Sequence, residues 1–224
     1  MKHILLLLSL WSLVAACSRL PQVYPAGDAA TSQARQACRN LFPEGDWQLW
    51  HSIEATLPGG RKGFLMGLTV ISSANRNAHC VIMTQEGFVL FDASYGEEIS
   101  VERAVAPFDS EVFAKGLISD IRLMFFAPNG PLAETGYDKD GASICRYRIP
   151  NGRIVDLVVH GDLSWQIRQY NRQMCLERTV TAFSNRPYRG EDRYAIADRL
   201  ELTAYGAAGY SLIMDLIEAV PLER

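Results

Sequence analysis

The period of apolar and polar positions changes three times along the chain. Residues 4–16 form one apolar run, broken only by Ser9 and Ser12. Residues 47–92 contain short segments rich in β-branched and aromatic residues, separated by turns with Gly or Asn, which predicts antiparallel strands. Between residues 111 and 126, apolar positions recur every three or four residues, which predicts an amphipathic helix. Strand patterns resume at residue 142 and continue to the C-terminus.

These patterns predict two antiparallel meanders of about ten strands in all, separated by the helix. Asp109 or Ser110 can cap the helix N-terminus, and Pro128-Asn129-Gly130 ends it. Asn151-Gly152 predicts a two-residue hairpin turn between strands at residues 142–149 and 153–160. A second, shorter helix is possible at residues 32–41.

The N-terminal run identifies a processing signal. A helix of about thirteen residues is only about 20 Å long, too short to cross a bilayer comfortably. A basic start, a short apolar stretch and small residues at its end are typical of an export signal. Val14-Ala15-Ala16-Cys17 also resembles the bacterial lipobox, which implies that Cys17 receives a diacylglycerol and becomes the first residue of the mature chain. An ordinary signal peptide with a chance cysteine is the alternative.

The predicted organisation follows from this site. Residues 1–16 are the signal peptide, residues 17–31 a lipidated N-terminus with a flexible Pro-, Ala- and Gly-containing tether, and residues 32–224 one domain. Ser18, where the sorting rule of enteric bacteria looks for aspartate, implies an anchor in the outer membrane on its periplasmic face. Several acyl chains on one cysteine give stable anchoring.

Charge and cysteine content exclude other classes of protein. The net charge is −3 with no basic block, so we expect no nucleic-acid partner. Cys38, Cys80, Cys145 and Cys175 can form disulfides in an oxidising compartment or remain buried thiols. Cys145 and Cys175 would lie three strands apart, about 14 Å, too far for a bond, which leaves Cys38 as the first candidate. The lack of Cys-x-x-Cys spacing predicts no zinc site.

No catalytic signature is present, and we expect neither enzymatic activity nor a cofactor. There is no Gly-x-Ser-x-Gly elbow, and the adjacent His79 and Cys80 should point to opposite faces of a strand. Arg146 and Arg148 share a strand face, where they could meet a phosphate head group or lie on a solvated outer surface.

The stretches HCVIMTQEGFVLFDASY (79–95) and VAPFDSEVFAKGLISDIRLMFFAP (105–128) resemble an uncharacterised family of proteobacterial outer-membrane lipoproteins. Its members are often encoded beside genes for aryl-polyene or fatty-acid-type synthesis. The order of lipobox, tether, meander, helix and second meander also resembles the Lol lipoprotein receptor and carrier (LolB and LolA). The polar loops at Asn75–Asn77 and Glu86-Gly87 depart from the receptor, which delivers cargo with an exposed apolar loop residue.

The resemblance implies a mainly β (α+β) fold, a strongly curved antiparallel half-barrel whose apolar concave side is covered by a lid helix. It implies that a monomer binds or transfers a hydrophobic cargo, a lipid or lipidated protein. The implied cargo-binding residues are Phe113, Leu117, Ile121, Met124 and Phe125 of the helix, and secondarily Leu68, Val70, Leu157, Trp165 and Leu212 of the strands.

Two other functions remain open at this point. The curved sheet could serve a structural or assembly lipoprotein that binds a protein partner in an envelope complex, or the chain could be a hydrolase with an unrecognised site. A deep apolar cavity under the helix favours the carrier, whereas a filled interior with an exposed apolar patch favours the partner-binding protein.

Overall fold

The computed structural model describes residues 20–161, 164–185 and 196–222. The predicted signal peptide and Cys17 lie outside these ranges. Over the described ranges the chain forms one antiparallel sheet of twelve strands and two α-helices. Neither of these helices is long and apolar enough to cross a membrane.

The helices are α1 (Asp28–Arg39) and α2 (Glu111–Phe125). The strands are β1 (Asp46–Thr56), β2 (Lys62–Ser72), β3 (Asn77–Met83), β4 (Val89–Tyr95), β5 (Ile99–Ala104), β6 (Leu132–Tyr137), β7 (Ser143–Arg148), β8 (Ile154–Val159), β9 (Ser164–Tyr170), β10 (Leu176–Phe183), β11 (Arg199–Ala204) and β12 (Tyr210–Pro221). A short 3₁₀ turn, Pro150–Gly152, lies between β7 and β8.

The two predicted meanders form a single sheet, because β1 pairs with β12. The strand order is β5-β4-β3-β2-β1-β12-β11-β10-β9-β8-β7-β6, so β5 and β6 are the edge strands. These are the strands that the sequence pattern does not predict. Both are six residues long and rich in polar residues, a common way to protect a sheet edge from pairing with another chain.

The concave face of the sheet carries the core. On β1, Trp47, Leu49 and Ala55 are buried, and the strand register places Thr69 and Ile71 of β2 on the same face. The main buried cluster extends across the concave side of the sheet and includes residues of α2. The curled, open sheet with a helix across its inner side confirms the predicted half-barrel fold.

The N-terminal segment is packed on the domain, unlike the flexible tether predicted for residues 17–31. Val23 packs on the outer face of the sheet against Ile144 and Val158. Tyr24 exchanges two backbone hydrogen bonds with Tyr137 of β6, at 2.8 and 3.0 Å. A Cβ at Gly136 would lie 2.1 Å from the Tyr24 carbonyl oxygen, so only glycine permits this approach. We call residues 20–24 the N-terminal strap.

Arg146 holds this strap, and of the two roles considered for it, a place on a solvated outer surface is wrong. The side chain is buried and donates to both Asp156 carboxylate oxygens at 2.8 Å and to Glu134 at 3.0 Å. It also donates to the carbonyl oxygen of Pro21 at 2.8 Å. A guanidinium with this number of donors can satisfy a carboxylate and the strap together. Arg148 is exposed.

The hairpin between β7 and β8 differs from the predicted two-residue turn. Ile149 N–H donates to the Arg153 carbonyl oxygen at 3.1 Å, which leaves three residues, Pro150–Gly152, in the turn. Asn151 and Gly152 have φ values of 74° and 72°. Asn and Gly tolerate this left-handed conformation, so the dipeptide marks the turn but not its length.

Candidate hydrophobic binding site

Helix α2 covers the concave face of the sheet. The Ser110 side chain accepts a hydrogen bond from the Phe113 N–H at 3.2 Å, which fixes the start of the helix. Five apolar residues of α2 are buried: Ala114, Ile118, Ile121, Met124 and Phe125. On the opposite side of the helix, Val112 is 82% exposed. The spacing that predicts the helix therefore also identifies its contact surface.

The structure brings together eight of the ten predicted cargo-binding residues. Ile121, Met124, Phe125, Leu157 and Trp165 belong to the buried core cluster, and Phe113, Leu117 and Leu212 are partly buried against it. Leu68 and Val70 lie on the outer face of β2, opposite the concave side, because they alternate with Thr69 and Ile71. They are not part of the α2 contact surface.

Aromatic side chains hold the N-terminal half of α2. The Phe113 ring meets Phe91 of β4 edge to face, with centroids 5.2 Å apart, and Phe108 at 5.1 Å. Near the other end, the Phe125 ring lies 6.1 Å from the His51 ring of β1. These contacts distribute the attachment of the helix over several strands.

A buried charged group also joins α2 to the sheet. Asp120 is 2% exposed, and Arg178 of β10 donates to its carboxylate at 2.6 Å. The Tyr210 hydroxyl of β12 donates to the other carboxylate oxygen. Burial raises the pKa of Asp120, while Arg178 and Tyr210 oppose that rise. The sequence gives a signal that our prediction missed: Asp120 is an acid within an apolar helix stripe.

His51 lies beneath the helix without a charge partner in contact. Burial lowers its pKa to about 4, against a smaller opposing effect of Asp215. Its Nδ1 atom is buried and has no hydrogen-bond partner among the described residues. The imidazole is therefore neutral at the pH of most compartments and contributes to the apolar side of the site.

One cavity opens at the C-terminal end of α2. Its volume is about 180 Å³, and it lies between α2, the residues after α1 and strands β8 and β9. Its apolar wall includes Phe42, Leu123, Ile149, Val155 and Ile167, and its polar wall includes Arg76, Arg122 and Gln169. Ligand pockets usually have volumes of about 300–1,000 Å³, so this cavity is smaller than a typical ligand pocket.

The cysteines differ in their surroundings. A disulfide joins Cys38 of α1 to Cys145 of β7, with Cα atoms 6.3 Å apart. Cys80 is a buried free thiol whose pKa is raised to about 12, mainly by burial, so it is a poor nucleophile. Cys175 lies just before β10 and is also disulfide-bonded; its N–H donates to the Asn171 side chain at 2.9 Å.

The outer face of the sheet carries a histidine–carboxylate pair. His79 Nε2 lies 2.7 Å from Asp92 Oδ1, between β3 and β4. The pair is partly exposed. Within the described ranges, no group of three or more His, Cys, Asp or Glu side chains could hold a metal ion.

An apolar patch lies on the same outer face. The register aligns Trp50 with Leu68 and Leu68 with Val81, and it aligns Met66 with Met83. Phe64, at the end of this surface, is 60% exposed. The side chains Trp50, Phe64, Met66, Leu68, Val70 and Met83 are called the outer apolar patch; Val81 lies among them but is buried. None of them belongs to the core cluster.

Neither a protein-family model nor a curated protein matches the sequence. Solved structures do match in fold. A LolA superfamily protein of Nitrosomonas europaea has a TM-score of 0.54 and 11% identity, over 87% of this chain and 94% of that chain. A domain assigned to outer-membrane lipoprotein sorting in Vibrio parahaemolyticus has a TM-score of 0.49 and 12% identity, over 87% and 93%.

A DUF1329 family protein of Desulfovibrio piger is also similar, with a TM-score of 0.38 and 10% identity over 87% and 94% of the two chains. Of these three structures, the Nitrosomonas protein has a TM-score above 0.5, so the comparison of folds rests on it. In its curled antiparallel sheet with a helix across the inner face, this chain has a fold like that of the LolA superfamily.

Proposed function

We propose that this protein is an outer-membrane lipoprotein, anchored through Cys17 on the periplasmic side, that binds or transfers a lipid or acylated cargo. The cargo would bind between α2 and the concave face of the sheet. The observation that carries the proposal is the placement of α2, whose apolar surface covers the inside of an open half-barrel. Such a surface can shield alkyl chains from water.

The attachment of α2 supports its movement. Helix α1 is joined covalently to β7 through Cys38 and Cys145, whereas side-chain contacts and the Asp120 ion pair hold α2. Displacing α2 exposes apolar area at a cost of about 25 cal/mol per Å². An alkyl chain that takes the place of the helix side chains recovers that energy.

Two further observations support the envelope location. Disulfides persist in oxidising compartments such as the bacterial periplasm, and Cys38 and Cys145 form such a bond. The lipobox-like Val14-Ala15-Ala16-Cys17 supports acylation of Cys17. The fold likeness to a LolA superfamily protein fits a carrier of apolar cargo.

The test is the lipid content of Leu117→Asp. Leu117 packs partly buried on the concave side, and a carboxylate there opposes an alkyl chain because burying a charge is costly. The mature chain with Cys17→Ala, free of its own acyl chains, is purified with and without this change. Native mass spectrometry should detect bound lipid in the parent and at least about tenfold less in Leu117→Asp.

The matched control is Val112→Asp, which places the same charge on the exposed side of the same helix. It should retain the lipid. Equal lipid in folded Leu117→Asp and in the control would disprove binding under α2.

A second candidate function rests on the outer apolar patch. Together with a cavity of only about 180 Å³ at α2, an apolar surface of this kind meets the condition stated above for an assembly lipoprotein with a protein partner. A parent protein without lipid, combined with loss of an envelope complex in Leu68→Lys, would favour this function over cargo binding.

A further inference from the structure

Two arginines at the cavity mouth form no ion pair with a described acid. Arg76, in the turn between β2 and β3, and Arg122, in the last turn of α2, both line the cavity. Other arginines form ion pairs, such as Arg153 with Glu177 at 3.1 Å. In the part of the chain that the structure describes, neither Arg76 nor Arg122 forms one. Arg76 and Arg122 therefore bring two positive charges to one opening.

Aromatic rings hold both guanidinium groups in place. The Arg76 Cζ atom lies 5.4 Å from the Phe126 ring centroid, and the Arg122 Cζ atom lies 4.9 Å from that of Tyr95. Burial lowers the pKa of Arg76, and the neighbouring charge of Arg122 lowers it further. The two cations repel each other, and an anion between them would relieve this repulsion.

The cavity behind the arginines is largely apolar. Phe42, Leu123, Val155 and Ile167 form much of its wall. Gln169 also lines it and is 4% exposed. A charged mouth, an apolar interior and one buried amide match a molecule with a small anionic head and an alkyl chain.

We propose that this cavity binds a single-chain anionic amphiphile, with its carboxylate or phosphate head between Arg76 and Arg122. The first part of the alkyl chain would lie against Leu123, Val155 and Ile167. This inference rests on the proposed function and narrows it, because it names the class of cargo. A volume of about 180 Å³ admits the head and the start of the chain, and displacement of α2 would admit the rest.

Arg76 also has a structural contact, which the test must separate from binding. Its Nη2 donates to the Ala127 carbonyl oxygen at 3.0 Å, just beyond the C-terminus of α2. If Arg76 served only this contact, its substitution would change the stability of the protein. The protein would then bind a charged ligand and a neutral ligand of the same length equally well.

The experiment therefore compares two probes on the mature chain with Cys17→Ala. The probes are cis-parinaric acid and its methyl ester, which share one fluorescent alkyl chain and differ in the head group. Charge-assisted hydrogen bonds from a guanidinium are strong, so the acid should bind at least about tenfold more tightly than the ester. Lysophosphatidic acid should displace the acid if the site accepts a phosphate head, and inorganic phosphate alone should not.

Variants assign the preference to the two arginines. Arg76→Gln with Arg122→Gln should remove the preference for the acid and leave ester binding unchanged. Arg76→Lys with Arg122→Lys should retain a preference, because the charge remains. Arg103→Gln with Arg199→Gln is the matched control, since Arg103 also lies over an aromatic ring, Phe88, away from the cavity.

The outcomes separate this inference from the proposed function. Equal binding of acid and ester, or a preference that survives in the Gln variant, would overturn the anion site and leave apolar binding intact. Displacement by inorganic phosphate alone would show a free-phosphate site and overturn the amphiphile. Binding of neither probe would remove the proposed function, and this inference with it.

Discussion

At the scale of single residues, Asp120 decides how α2 is held. It is the one charged residue among the buried positions of the helix, and its partners Arg178 and Tyr210 come from strands 58 and 90 residues away in sequence. A buried charge is tolerated only when it is paired and hydrogen-bonded. The group therefore fixes the register of the helix on the sheet more than it adds stability.

We expect Asp120→Asn to lower the free energy of unfolding by about 3 kcal/mol, because it leaves the largely buried Arg178 without its counter-charge. Urea unfolding measures the loss. Amide hydrogen exchange in α2 should also accelerate more than exchange in β1. Glu111→Gln, at an exposed acid of the same helix, is the control and should change neither measurement. Unaltered exchange in α2 of Asp120→Asn would contradict this role.

His51 makes stability depend on pH. In the unfolded chain its pKa is about 6.5, and in the folded protein burial lowers it to about 4. Between these values the unfolded state binds the extra proton, so the free energy of unfolding falls as the pH falls from 6.5 to 4. The full effect is about 3 kcal/mol.

His51→Leu should reduce the loss of stability over this pH range, as measured by urea unfolding at pH 7, 5.5 and 4. Comparison of the two proteins removes the contribution of carboxylates that titrate in the same range. His160→Gln, changed at an exposed histidine, is the control. If the free energy of unfolding of His51→Leu fell with pH as steeply as that of the parent, His51 would not be the group that makes stability depend on pH.

The sequence allows the helix side of the candidate site to be predicted, since one period of 3.6 residues defines its apolar stripe. It does not allow the sheet side to be chosen. Leu68 and Leu157 are equally apolar, and only the register shows that the first lies on the outer face and the second on the inner face. Arg178 and Gln169 were missed because their roles depend on contacts between strands distant in sequence.

At the scale of secondary-structure elements, the two helices are attached differently. Helix α1 packs on the concave side of β7, and its Cys38 is bonded to Cys145, 107 residues further along the chain. A disulfide that closes a loop of this length restricts the unfolded chain strongly. The strap on the outer face and α1 on the concave face therefore both pack at the β6 end of the sheet.

Cys38→Ala with Cys145→Ala should lower the free energy of unfolding by about 2–4 kcal/mol. Urea unfolding measures it, and hydrogen exchange in α1 should rise more than exchange in α2. Cys80→Ala, at the buried free thiol, is the control for the loss of a cysteine from the core. An unchanged urea midpoint in the double variant would contradict a stabilising role for the disulfide.

The elements that the sequence pattern alone could predict are those in which apolar residues recur at a regular spacing. The α2 helix was predicted over residues 111–126, and the structure confirms Glu111–Phe125. The edge strands β5 and β6 were missed because edge positions are polar and lack the alternation that reveals a half-buried strand. The pairing of β1 with β12 joins distant segments, so no local pattern indicates it.

At the scale of the whole molecule, the proposed anchor at Cys17 would determine where the domain works. We expect the exported wild-type chain to begin at Cys17, to carry acyl chains and to fractionate with outer membranes. Cys17→Ala should release the protein into the soluble periplasmic fraction. Intact mass of the wild-type chain checks the modification, and Cys80→Ala should remain membrane-bound. A wild-type mass without acyl chains, or Cys17 joined to another cysteine, would contradict the anchor.

The N-terminal strap restricts how the anchored domain can be oriented. Only Ser18 and Arg19 separate Cys17 from Leu20, so an acylated Cys17 would stand within about 10 Å of the strap. Because the strap lies on the outer face of β7 and β8, that face would lie toward the bilayer and α2 toward the aqueous periplasm. An incoming amphiphile would then reach the site from the water side, without a path through the membrane to which the protein is attached.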